Sequence, residues 1–177
     1  QADGLTSTQE ASTAILPYLV FLPCTFNPCL PDVYTDDFSD TDSGWVSLDT
    51  VDYKIGYLEG EYQLLVRTEN YVVWSYLDFG VTDYVVEVDF RPVKHLDGAA
   101  GLMFSMNDQG FYYFLAGDGW YTLWRNDWAT WTWVPIIDWT ESPAIHTGFT
   151  SNHLKVVRSQ GLIELYANGT LLASLND

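Results

Sequence analysis

The sequence predicts an all-β protein, a two-sheet antiparallel sandwich preceded by an extended N-terminal arm. Three observations carry this reading. Short runs follow the two-residue period of a strand, with Tyr62, Leu64 and Val66 set against Gln63, Leu65 and Arg67, and Tyr84, Val86, Val88 and Phe90 against Val85, Glu87 and Asp89. Turn pairs separate the runs at Glu59-Gly60, Asp118-Gly119, Gln160-Gly161 and Asn168-Gly169. No segment sustains a helical period.

Taken in order, residues 1–14 are small and polar and read as a flexible leader. Residues 15–31 form an apolar, proline-punctuated arm and a cysteine loop. Ile15, Leu16, Tyr18, Leu19, Val20, Phe21 and Leu22 are its strand-like positions, and Pro17 within it suits an edge or a bulge because proline has no N–H to donate. Cys24 and Cys29 have Asn27 and Pro28 between them, a spacing that suits a small disulfide-closed loop and lacks the further Cys or His of a zinc site. Residues 32–177 form the sandwich domain. After the runs above come strands at Gly101–Met106, Phe111–Ala116, Trp120–Arg125, Leu154–Arg158 and Leu162–Ala167.

Charge narrows the partners. The 177 residues carry 24 acidic and 7 basic side chains, a formal charge of −17, which excludes phosphate-backbone recognition and disfavours anionic membranes. The longest apolar run, near Ile15–Cys24, is too short and too rich in proline to cross a bilayer as a helix. A composition of 47% hydrophobic and 16% aromatic residues separates the chain from disordered acidic tails. The start at Gln1, the many Tyr, Trp, Thr and Ser, and the cysteine pair point to a secreted protein, extracellular or at a cell surface.

Several motifs recur in a definite order. Asp36-Asp37-Phe38 is followed by Ser43-Gly44-Trp45, Gly60-Glu61-Tyr62 and Glu87-Val88-Asp89-Phe90-Arg91. Gly101-Leu102-Met103-Phe104, Phe111-Tyr112-Tyr113-Phe114, Asp118-Gly119-Trp120-Tyr121, Asn152-His153-Leu154-Lys155-Val156 and Leu165-Tyr166-Ala167-Asn168-Gly169 complete the series. Over residues 34–175 this order resembles the concanavalin A-like, laminin G-like jelly-roll superfamily, nearest the branch with 3-keto-disaccharide hydrolase-type domains. The resemblance implies a two-sheet antiparallel jelly-roll sandwich and is not specific for activity, since the superfamily holds lectins, glucanases and adhesive modules. Such domains continue past the Asn-Gly hairpin into a last strand beside the first. With the sequence closing at Asp177, soon after Leu171-Leu172-Ala173, that strand is expected to be absent, and residues 15–22 are expected to be a surplus strand at the other end. Eight to ten extended residues span roughly 26–33 Å, enough to fill a sandwich slot. The arm is expected to fill it either in cis, folding back onto residues 33–38, or in trans, as a strand donated to a neighbouring copy.

The chemistry-bearing residues are sparse. Glu87 and Asp89 share a strand face, but the next position on that face is Arg91, so the second catalytic Glu of the jelly-roll glucanase motif is absent and no catalytic residue is assigned. No nucleophile elbow and no metal-spaced His pair occurs. Asp36, Asp37, Asp40 and Asp42 make calcium the one cofactor with candidate ligands, though not at EF-hand spacing. Trp120, Trp124, Trp128 and Trp131 form a candidate platform for stacking sugar rings, with Trp128 expected to be the most exposed. Asn168-Gly169-Thr170 is a formal glycosylation sequon. The leading expectation is a non-enzymatic structural or adhesive subunit that polymerises into an extracellular filament through its arm. The alternative is a monomeric carbohydrate-binding module whose arm closes its own sandwich.

Overall fold

The computed structural model describes residues 33–69, 71–77, 81–94 and 98–176, together with the backbone of 13–23. The leader over residues 1–12 and the Cys24–Cys29 loop lie outside the described residues. The described residues form thirteen strands: β1 (Thr13–Pro23), β2 (Tyr34–Asp36), β3 (Leu48–Asp49), β4 (Tyr53–Leu58), β5 (Glu61–Val66), β6 (Tyr84–Pro92), β7 (Ala100–Asn107), β8 (Gly110–Gly117), β9 (Trp120–Asp127), β10 (Thr132–Glu141), β11 (Asn152–Ser159), β12 (Leu162–Ala167) and β13 (Thr170–Asn176). No helix occurs among the described residues.

The strands form two antiparallel sheets packed as a sandwich. The nine-stranded sheet runs β13-β12-β11-β6-β1-β5-β4-β3 with β2 beside β1, and the four-stranded sheet runs β10-β9-β8-β7. Val86, Val88 and Phe90 of β6, Leu154 and Val156 of β11, and Ile163 and Leu165 of β12 supply one wall of the core. Leu102, Phe104, Phe114, Tyr121 and Leu123 supply the other. Along β6 every second residue is buried, the alternation expected from the sequence.

Four hairpin turns have the predicted chemistry. Glu59, Asp118, Gln160 and Asn168 take φ of 44–54°, and each is followed by a glycine at 80–87°. Two successive left-handed residues are what a tight turn needs to match the twist of antiparallel strands.

The arm is an interior strand of the large sheet. β6 lies on one edge of β1, from Ala14↔Pro92 to Pro23↔Tyr84. The other edge is shared: Thr13–Leu16 pair with β5 at Leu65–Tyr62, and Leu19–Phe21 pair with β2 at Asp36–Tyr34. The expected arm positions Ile15, Leu16, Tyr18, Leu19, Val20, Phe21 and Leu22 therefore all fall within one strand, which starts two residues earlier than its apolar pattern suggests. The fold-back onto residues 33–38 is present, and the larger part of the pairing is with β6 and β5. Between Ile15↔Arg91 and Tyr18↔Asp89 the arm advances one residue more than β6, so Pro17 falls at a bulge. Arg91 reaches over β1 to β5, its Nη2 donating to Glu61 at 2.8 and 3.1 Å. Arg91 thus serves Glu61 rather than its strand neighbour Asp89.

The first motif residues converge at one corner. Asp36 is buried; its Oδ1 accepts from Phe38 N at 2.7 Å and its Oδ2 from Trp45 Nε1 at 2.8 Å and Tyr34 OH at 3.1 Å. Phe38, Trp45 and Tyr62 pack with ring centroids 5.4–5.7 Å apart. Burial, with the Asp36 carboxylate beside it, pushes the Tyr34 phenol up to about 12.

Close packing within the small sheet is tested at Gly101. A Cβ there would stand 1.9 Å from the Phe114 carbonyl oxygen. Gly101→Ala is expected to cost about 2 kcal/mol or more and to lower Tm by about 5 °C in a thermal melt.

Candidate functional site

The four-stranded sheet is covered on both faces. One face meets the large sheet. The pleat puts Phe111 and Tyr113 of β8, and Thr122, Trp124 and Asn126 of β9, on the other. Of these, Phe111, Tyr113, Thr122 and Asn126 are buried. Part of the cover is the segment 71–77: Trp74 packs on Phe111 with centroids 6.0 Å apart, and Tyr113 OH donates to Val73 O at 3.3 Å. Burial holds the Tyr113 phenol well above its ordinary range, so it is a neutral donor.

At one end of this face the aromatic side chains gather. Trp128 lies 4.9 Å from Phe111 and 5.1 Å from Trp131, centroid to centroid, and Trp133 lies 5.7 Å from Phe111 and 6.2 Å from Tyr113. The turn between β9 and β10 sets this geometry. Asp127 Oδ1 accepts from Ala129 N at 2.9 Å, from Thr130 N at 3.1 Å and from Thr130 Oγ1 at 3.1 Å. Trp128 Nε1 donates to Asn107 O at 2.9 Å, pinning that indole. Trp131 has φ of +51° and is 60% exposed. A bulky residue in the left-handed region costs on the order of 1–2 kcal/mol, so the surrounding turn must enforce it.

The structure redistributes the expected platform. Trp128 and Trp131 do come together, and Phe111, Tyr113 and Trp133 join them. Trp131, not Trp128, is the more exposed; it precedes β10 rather than sharing a strand face with Trp133. Trp124 lies mid-strand, in register with Tyr113 and Pro135. Trp120 sits at the start of β9, roughly 25 Å from Trp128 at the usual rise per strand residue. It is 44% exposed and belongs to a different part of the surface.

Asn126 is the residue that the sequence reading missed. It is in register with Phe111 on one side and Trp133 on the other, and the rings of these two meet at 5.7 Å, centroid to centroid, across its strand. It is fully buried, and neither Oδ1 nor Nδ2 has a hydrogen-bond partner. The available signal was parity, since Trp120, Thr122, Trp124 and Asn126 fall on one face of the strand.

The remaining candidates are committed to local contacts. On the outer face of the large sheet, His153 Nδ1 lies 3.0 Å from Asp89 and Lys155 Nζ 3.5 Å from Glu87, a row of polar contacts across β6 and β11. In the acidic stretch, Asp37 accepts from Ser39 N and Asp40 from Asp42 N, while Asp36 holds the Trp45 corner. Among the described residues no group of three or more His, Cys, Asp or Glu is placed to hold a metal ion. The Asn168 Nδ2 donates to Ala144 O at 2.7 Å and Asn152 Oδ1 at 2.9 Å, and its Oδ1 accepts from His153 N at 2.9 Å. A glycan on that nitrogen would break one of these bonds. An open cleft of about 590 Å³ is bordered by Gly119, Glu141, Ser142, Ile145, His146 and Thr150, and His146 Nδ1 is bonded to Ser151 O at 2.7 Å.

Comparison with protein-family models, with curated proteins and with solved structures finds no match to this chain.

The anchorage of the Trp131 turn depends on pH. Hydrogen bonds from Thr130 and Ala129 hold the Asp127 carboxyl below the ordinary value of 3.8. A depressed carboxyl stabilises the fold at pH above the unfolded value and loses that contribution as pH falls through the folded one. The Ala129 and Thr130 amide resonances are expected to stay in place from neutral pH to about 4 and to shift below it. In Asp127→Asn, which keeps an acceptor oxygen, they should not titrate.

Proposed function

We propose that this chain is a secreted, non-enzymatic β-sandwich module that binds carbohydrate through the aromatic end of its four-stranded sheet. The observation that carries the reading is Trp131, an exposed indole held at an unfavourable backbone angle beside Trp128. Strained backbone at an exposed aromatic residue is typical of binding positions rather than packing ones. Flat indoles stack on the C–H faces of sugar rings, and stacking needs a rigid ring. The outward position of Glu87 and Asp89, each in contact with a neighbour on β11, Lys155 and His153, is in keeping with the non-enzymatic part, because an active site needs an acid and a base that converge on a pocket. The likeness of the motif order to the concanavalin A-like superfamily is in keeping with both.

Trp131→Ala should weaken binding to a soluble glucan or xylan in affinity electrophoresis by tenfold or more, about 1.4 kcal/mol, while leaving Tm unchanged or raised. Undiminished retention would overturn the reading.

A second reading is supported by the position of β1. An interior strand that precedes the rest of its sheet in the sequence can be exchanged between copies, and exchange repeated head to tail gives a filament. In this reading the chain is a self-assembling extracellular subunit, and the slot between β5 and β6 receives a neighbour's arm. Light scattering with negative-stain electron microscopy separates the two: polymers that survive dilution support exchange, and a single species near 20.1 kDa excludes it.

A further inference from the structure

We propose that Asn126 is the polar reading group of the aromatic site, and that it selects a neutral polyhydroxy ligand through a pair of adjacent hydroxyls. The proposal rests on the carbohydrate reading and names the ligand class.

A buried carboxamide normally has its donors and acceptor satisfied, because an unpaired buried polar atom costs on the order of 1–3 kcal/mol. Asn126 leaves both Oδ1 and Nδ2 unpaired, in a setting of aromatic rings. A leucine would fill that space without the cost, so the carboxamide destabilises the fold unless something else uses it. Its two atoms define what can. Oδ1 must be met by a donor and Nδ2 by an acceptor, a few ångströms apart. Two adjacent sugar hydroxyls supply both, one donating and the other accepting. A carboxylate or phosphate only accepts and would leave Oδ1 unpaired. The net charge of −17 and the Asp127 carboxylate next in sequence oppose anions further.

The route to Asn126 runs past Trp133. Phe111 is 1% exposed and fixed among Trp74, Tyr113 and Trp128, whereas Trp133 stands on the edge strand β10 and is 38% exposed. Rotation of the Trp133 indole opens one side of the carboxamide and leaves Trp128 and Trp131 as the stacking wall.

The experiment pairs Asn126→Leu with a ligand series on the unaltered protein. Cellohexaose, xylohexaose and mannohexaose are the neutral probes, hexagalacturonate the acidic one and chitohexaose the amide-bearing one, each titrated by calorimetry. At least one neutral hexasaccharide is expected to bind, with no detectable binding of hexagalacturonate. Asn126→Leu should weaken that binding at least tenfold while its Tm stays level or rises. A preference for hexagalacturonate, or for chitohexaose with no neutral binding, overturns the proposal on the unaltered protein whether or not the variant folds. A fall in Tm with binding intact would make Asn126 a structural residue. Loss of binding in Trp131→Ala with full binding in Asn126→Leu would keep the carbohydrate reading and remove this one. No binding of any probe would remove both.

Discussion

The double-edged hydrogen-bond ladder of β1 is the constraint on which the large sheet depends. β5 and β6 are each paired along one edge to the rest of the sheet, and their facing edges are joined through the arm. Without it, two rows of backbone N–H and C=O groups would face each other across a gap one strand wide, and buried backbone groups tolerate that poorly. The Arg91–Glu61 ion pair crosses the same gap by side chains alone. At 26–36% side-chain exposure it is worth little by itself and cannot replace a strand. The continuity of the sheet is therefore a backbone property carried by β1.

Around that sheet the packing is asymmetric. The outer face of the large sheet carries a row of polar contacts, Glu87 and Asp89 against Lys155 and His153. The small sheet instead buries aromatic residues on both sides, with the segment 71–77 helping to close the second. A sheet with two apolar faces in a chain of this size needs its own cover, and the cover ends where Trp131 and Trp133 emerge.

Much of this was legible in residues. The Glu-Gly, Asp-Gly, Gln-Gly and Asn-Gly pairs mark hairpins because left-handed φ is a local demand. The alternation of Tyr84, Val86, Val88 and Phe90 shows its core face because strand parity is also local. The motif residues Asp36, Phe38, Trp45 and Tyr62 turn out to be parts of one corner. What could not be read was distance between elements. Parity puts Trp120 and Trp128 on one face but says nothing of the seven residues of strand between them. The partners of the arm were half-legible: its turn back onto β2 is a near neighbour in sequence, while its pairing with β6 depends on how the whole sandwich closes. Asn126 was passed over because a single asparagine beside aromatic residues carries no pattern, and its unpaired atoms exist only once Phe111 and Trp133 arrive from other strands.

The left-handed Trp131 has an entropic consequence. A surface indole on a free loop loses most of its rotational freedom when something stacks on it, and that loss subtracts from affinity. Here the turn fixes the backbone under the ring when the chain folds, through Asp127 and Thr130, and the Trp128 ring borders the indole at 5.1 Å. Any ligand that settles on Trp131 meets a wall with little motion left to surrender. The penalty falls on the stability of the turn, and the complex is correspondingly spared.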